Sequence, residues 1–291
     1  MHMRLIRFIG MVALLLPAII VSASESSPAP QVGDTYEISL IKDSAQQGGN
    51  GSSGSSHDKE TIIEQVTAVR ADGLELQYDL PNTTTADERA RIWQFPVRVF
   101  KPFGGPAQLL NGAELEARLD GWLKAAKLPR TACGHWIFTW NAFRIECDPQ
   151  SVIKTVQSYD LRSTDLREGG VYQDSEASGP GKLTRKAGGS DGQIFYAEMP
   201  VDADAVRRAR AESDVVVGEI MKKPVSLEAA LHERAGEIVS GSISVAFEMD
   251  PAGTAHKRTK VMKLDIKRPD GRSETQTVTE TLERRIIPRR D

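Results

Sequence analysis

Two sets of residues in this chain have the types and spacing for chemistry. Cys133 and Cys147, the only cysteines, bracket the stretch TACGHWIFTWNAFRIEC, with His135 beside the first of them. A thiolate next to an imidazole is a nucleophile, and with Cys147 the three side chains would offer ligands to a metal. Ser151-Val152-Ile153-Lys154 is an S-x-x-K pattern at an expected helix start. There one helical turn brings the lysine amine to the serine oxygen, as in serine acyl transfer.

Neither set has its supporting residues. Structural zinc sites space cysteines two to four apart in pairs, and His57, His135, His232 and His256 are scattered along the chain. No metal and no cofactor is therefore expected. Ser158-Tyr159-Asp160 follows the S-x-x-K too closely to be the second element of that enzyme class. Lys186-Ala187-Gly188 lacks the hydroxyl residue of the third. The chain has no G-x-S-x-G elbow and no phosphate loop, and no carboxylate pair stands in an apolar setting. The reading is a non-catalytic protein; the alternative is a periplasmic serine hydrolase using Ser151 and Lys154.

The cysteines have a simpler role. Residues 136–139 and 142–146 are rich in strand formers, with Asn141 near a turn. A hairpin centred on residue 140 sets Cys133 opposite Cys147, within the separation a disulfide accepts. An even cysteine count leaves no spare thiol. His135 then becomes a rim residue.

A disulfide needs an oxidising compartment, and the N-terminus agrees. Arg4 and Arg7 precede an almost wholly apolar run over 8–21, and Val21-Ser22-Ala23 supplies small residues for cleavage after Ala23. Residues 1–23 read as a signal peptide, 24–32 as a flexible leader, and 33–291 as a single exported domain, periplasmic or extracellular. A transmembrane helix needs about 20 apolar residues, and no later run supplies one, so no membrane span is expected in the mature chain. The formal net charge of −3 argues against nucleic acid as a partner. The basic stretch 254–291 reads as the solvated face of a sheet.

The elements that must position these residues alternate in type. TYEISLI and ETIIEQVTAVR repeat with the strand period of two, Ala71-Asp72-Gly73 turns the chain, and LELQYDL completes a three-stranded meander. The tract QQGGNGSSGSSHD predicts a flexible loop over 46–57. A second meander is expected from Val239 onward, through KVMKLDIK, a turn at Pro269-Asp270-Gly271, and a strand whose Thr275, Thr277, Thr279 and Thr281 face water. A further hairpin is expected around Ser190-Asp191-Gly192. Between the meanders, about four short helices are expected. The first follows a capping box at Asn111–Glu114, the second opens at Asp148-Pro149, the third spans 203–221, and the fourth is capped by Ser226.

All four tryptophans lie within 93–140. The expected architecture is therefore α+β, with antiparallel meanders at both ends packed around a central aromatic-rich region. Trp93, Phe95, Trp122, Trp136, Phe138, Trp140 and Phe143 would form that core or line a cleft for an apolar ligand. The functional expectation is an envelope protein binding a lipid, a hydrophobic peptide or an envelope-protein partner.

Overall fold

The computed structural model describes residues 29–138, 142–161, 165–187, 192–251 and 253–289. The expected signal peptide, the leader up to residue 28, the turn residues Ser190 and Asp191, and Trp140 lie outside the described residues. The chain begins with β1 (Thr35–Gly48), β2 (Ser53–Arg70) and β3 (Gly73–Asp79), followed by a short helix α1 (Ala86–Arg89), β4 (Val97–Pro102) and β5 (Gln108–Leu109). Then come α2 (Gly112–Ala125), a hairpin of β6 (Trp136–Phe138) and β7 (Ala142–Arg144), and α3 (Ser151–Ser158). Short strands β8 (Val171–Tyr172), β9 (Gly181–Lys182) and β10 (Thr184–Ala187) lead into β11 (Gln193–Pro200). The helices α4 (Ala203–Ile220) and α5 (Leu227–Arg234) precede the last meander, β12 (Ile238–Met249), β13 (Ala255–Lys267) and β14 (Ser273–Ile287).

Ten strands form one antiparallel sheet in the order β10-β11-β12-β13-β14-β1-β2-β3-β4-β5. Both expected meanders are present. They are not separate: β1 pairs with β14 along its whole length, from Thr35 opposite Ile287 to Gly48 opposite Glu274. Each edge of the sheet is a short strand, the usual protection against edge-to-edge association.

The register puts the even-numbered residues of β1, β2, β13 and β14 on one face, here called inner. Apolar residues cluster at the two ends of that face. At one end Ile38, Ile62, Val66, Leu76, Val97 and Val99 pack against α2 and α3. Leu115, Leu119 and Leu123 recur at helical spacing and are the buried stripe of α2; Val152 and Val156 do the same for α3. At the other end Phe195, Met199, Ile243, Val245, Phe247 and Leu264 pack with Val206 of α4. On the opposite face Asp43, Ala45, Gln47, Ser55, His57, Thr275 and Thr277 are exposed, as are Lys263 and Lys267 of the basic stretch.

α2 and α4 end the same way. Lys127 and Lys222 take left-handed backbone conformations, with φ of 57° and 56°. The amides of Leu128 and Lys223 then reach back to the carbonyls of Leu123 and Gly218, at 2.9 and 2.8 Å. That is the Schellman arrangement, which satisfies carbonyls the helix cannot.

Four expectations are corrected. Among the described residues there is no aromatic-rich centre: both clusters are mainly aliphatic, and the one close ring pair is Tyr172 with Phe247, 5.5 Å apart. Aromatic residues supply single large groups to a core that leucine, isoleucine and valine fill. The expected loop over 46–57 is mostly ladder. β1 runs to Gly48 and β2 starts at Ser53, leaving a turn of four residues closed by Gly48 N–H to the Ser52 carbonyl at 2.8 Å. Asn111 does not cap α2. Its Oδ1 accepts from the Arg98 amide at 2.9 Å and its Nδ2 donates to Glu114, so it fastens the helix to β4 instead. The capping box is elsewhere, on α1, where Thr85 and Glu88 satisfy each other's backbone amides. Helix α3 starts at Ser151 rather than at Pro149, and Asp148 Oδ1 accepts from the Gln150 amide just before it.

Candidate binding groove

Between the two apolar ends, the inner face is polar. Lys260 of β13 stands opposite Glu280 of β14, Glu280 opposite Lys42 of β1, and Lys42 opposite Asp58 of β2. Four adjacent strands thus carry a row of alternating charge. One row along, Met262, Val278, Ser44 and Ser56 occupy the same strands. Helix α4 overhangs these rows through Val206, Ala209, Arg210 and Ser213, and the space between is a groove of about 470 Å³.

The charges at the β13 side are held firmly. Lys260 Nζ lies 2.7 Å from both Asp174 and Glu176, in the turn after β8, and Asp174 is buried. Burial alone would lower the lysine pKa. The hydrogen bonds and charges of Asp174 and Glu176 more than offset it, so the amine titrates above its ordinary range. Arg258 pairs with Glu280 across β13 and β14. At the β2 side the charges are free. Lys42 and Asp58 are exposed and hold no side-chain hydrogen bond or ion pair among the described residues. The groove therefore has a fixed wall and an unsatisfied one, which is the arrangement that leaves recognition groups for an incoming polar segment.

A signal for this row is present in the sequence. Ile38, Leu40, Lys42 and Ser44 share one parity in β1, as do Lys260, Met262, Leu264 and Ile266 in β13. A charge at a core parity marks a place where the buried face opens. It passes unremarked because each strand taken alone reads as an apolar face ending in solvent.

The stretch around the cysteines is a stapled hairpin. Cys133 and Cys147 form a disulfide with Cα atoms 5.6 Å apart. Trp136 pairs with Arg144 and Phe138 with Ala142, the register expected from centring the turn on residue 140. His135 is exposed, with Nδ1 3.6 Å from Glu219 of α4, and the Trp136 amide donates to the same carboxylate at 3.2 Å. The hairpin so meets α4 through its first strand.

The described members of the aromatic set expected to line a cleft are parted. Trp93 is buried in the first apolar cluster, and Phe95 and Trp122 are half-buried against it. Trp136 is half-buried beside α4. The side chains of Phe138 and Phe143, and all of Trp140, lie outside the described residues. None of the described ones, Trp93, Phe95, Trp122 and Trp136, lines the groove. Ser151 donates its hydroxyl to the Asp148 carbonyl at 2.6 Å, and Lys154 is exposed one turn on. No group of three or more His, Cys, Asp or Glu side chains is arranged for a metal ion among the described residues. No described helix is long and apolar enough to cross a membrane.

No family model matches the chain, and no curated protein matches it. Among solved structures it is similar to an outer membrane channel from Pseudomonas putida F1, at 7% identity over 91% of this chain and 98% of that one, with a TM-score of 0.21. It is also similar to a conserved protein of unknown function with a hot dog fold from Alicyclobacillus acidocaldarius, at 10% identity over 91% and 83% of the chains and a TM-score of 0.12. An acyl-CoA thioesterase II from Mycobacterium marinum follows at 10% identity over 86% and 81%, with a TM-score of 0.11. Likenesses this slight carry no argument about fold or function.

Proposed function

We propose that this is an exported, non-catalytic envelope protein that holds a polar segment of a protein partner in the groove beneath α4. The observation that carries the reading is the row Lys260, Glu280, Lys42 and Asp58, whose last two members lack partners among the described residues. A ligand with alternating charge would satisfy them at little cost, since the floor is already rigid on one side. Export is supported by the Cys133–Cys147 disulfide, a bond that persists in oxidising compartments and is rare in the cytosol. An apolar ligand gains less support, because the described members of the aromatic set are divided, with Trp93, Phe95 and Trp122 at the core and Trp136 beside α4. The serine hydrolase alternative also gains little. A catalytic serine needs its oxygen presented to substrate, and the Ser151 hydroxyl is spent on a backbone carbonyl of its own helix start.

The test is a photo-crosslinking amino acid placed at Ser56 in the groove and, as a control, at Thr277 on the opposite face. Crosslinks to a defined envelope protein from Ser56 alone, lost on Lys42→Glu with Asp58→Lys, are the expected result. Equal crosslinking from both faces, or none from Ser56, would remove the groove from consideration.

A further inference from the structure

A second cavity, of about 700 Å³, opens beyond the groove where α4 meets the β1–β2 and β13–β14 turns. We propose that it is an oxyanion site, taking a phosphate group, with Arg268 as its principal contact. The site does not depend on the partner reading given for the groove.

Four guanidiniums line it, those of Arg210, Arg234, Arg268 and Arg272, against two carboxylates, Asp214 and Glu274. The carboxylates that balance this charge stand outside the lining. Glu237 lies buried behind it, and Asp270 binds Arg272 from the turn. Three of the arginines are committed. Arg234 holds Asp214 through two bonds of 2.5 and 2.7 Å and Glu237 through one of 2.7 Å. Arg210 holds Glu274 at 3.2 and 3.3 Å, and Arg272 holds Asp270.

Arg268 is different. Its nearest carboxylate atoms are Glu237 Oε1 at 3.9 Å and Glu274 Oε2 at 3.7 Å, both beyond hydrogen-bond reach and both already engaged by other arginines. Its side chain is only 34% exposed. Five donors in a planar fork are thus held at a cavity wall without an acceptor among the described residues. That fork matches two oxygens of a phosphate, and because carboxylates already hold the neighbouring arginines, Arg268 is the guanidinium left open to it. The turns add small polar groups rather than bulk. Gly49 N–H binds the Ser273 carbonyl at 2.8 Å, and the chain on either side brings Ser53 and Ser273 to the cavity edge.

The phosphate could belong to a free ion or to a lipid headgroup, and the experiment separates them. The full chain is titrated by calorimetry with inorganic phosphate, with acetate at equal ionic strength, and with vesicles of phosphatidylcholine with and without phosphatidic acid. Binding to phosphate or to the phosphatidic acid vesicles, at least tenfold weaker in Arg268→Ala and only partly restored in Arg268→Lys, supports the site and names the source. Binding to neither, or equal binding of acetate, overturns it. Unchanged affinity in Arg268→Ala overturns it as well. Should Arg268→Ala fail to fold by circular dichroism, Arg268→Gln keeps the stem and removes the charge, and the same two readings apply.

Discussion

Arg284 on β14 and Glu64 on β2 meet at 2.9 Å, although 220 residues separate them in sequence and β1 runs between their strands. Both are nearly buried. The guanidinium also lies over the Tyr36 ring, 3.2 Å from its centroid, and Tyr78 donates to the other oxygen of Glu64 at 2.9 Å. One polar knot thus joins β14, β1, β2 and β3, where the two meanders become one sheet. Removing one member of a buried pair strands the other charge and costs about 3–5 kcal/mol. Glu64→Ala should lower unfolding free energy by that amount in urea titration, and Glu64→Met with Arg284→Met should recover much of the loss. A double variant as unstable as the single would show that the knot acts through packing alone.

Lys260 gives a pH dependence whose sign is fixed. Burial lowers its folded-state pKa, but the hydrogen bonds and charges of Asp174 and Glu176 together outweigh burial and raise it above the ordinary lysine value of 10.5. The stability it contributes is therefore complete below that value and is lost as pH rises through the folded one. Urea midpoints compared at about pH 9 and about pH 12 should fall more for the native chain than for Lys260→Met. Equal falls would mean that the Asp174 and Glu176 contacts do not favour the charged amine.

The Cys133–Cys147 bond closes a loop across a sequence separation of 14. In the chain-entropy model a loop of this length is worth about 3 kcal/mol. Cys133→Ala with Cys147→Ala should lose roughly that much stability while keeping the main sheet, which the hairpin does not join. Thiol titration of denatured, unreduced protein should find no free thiol. Two free thiols there would return the cysteines to the reactive reading.

What was legible in the residues was local. Period-two alternation marks β1 to β3 and β12 to β14, and the arithmetic of residue 140 places Cys133 opposite Cys147. Stripes such as Leu115, Leu119 and Leu123 mark α2, whereas α5, whose one buried residue is Ala230, shows through its Ser226 cap. The illegible parts are those that distant strands impose. Nothing near Thr35 says that Ile287 will lie beside it. The groove is missed for the same reason, because Lys42, Asp58, Lys260 and Glu280 come from four strands and become a row only through register. The aromatic centre fails differently. Crowding of tryptophans in sequence does not bring them together, because successive elements turn Trp93 into the core and leave Trp136 beside α4.

The distal arm of β1 and β2 brings these points to a measurement. Its sequence, from Gln46 to His57, is mostly Gly, Ser, Gln and Asn, residues that have little strand preference of their own. The ladder nevertheless continues, with Gln46 opposite Gln276 on one side and Gly54 on the other, and Gly48 opposite Glu274. The turn is built for closure: Gly51 takes a φ of 83°, and Asn50 Oδ1 accepts from the Ser52 amide at 3.1 Å. Were the tract a mobile loop, replacing residues 46–57 by a two-residue Asn-Gly turn would change stability little, since loop entropy varies by only about 0.6 kcal/mol per doubling of length. As a ladder, the arm contributes several backbone hydrogen bonds of about 1 kcal/mol net each. The replacement should therefore cost about 2 kcal/mol or more in urea titration. Hydrogen exchange should find the amides facing β14, that of Gly49 among them, protected beyond that of Asn50 at the turn. A neutral replacement, with exchange over 46–57 as fast as in an unstructured peptide, would show that the strands end near Ser44 and that the far wall of the arginine cavity is not built.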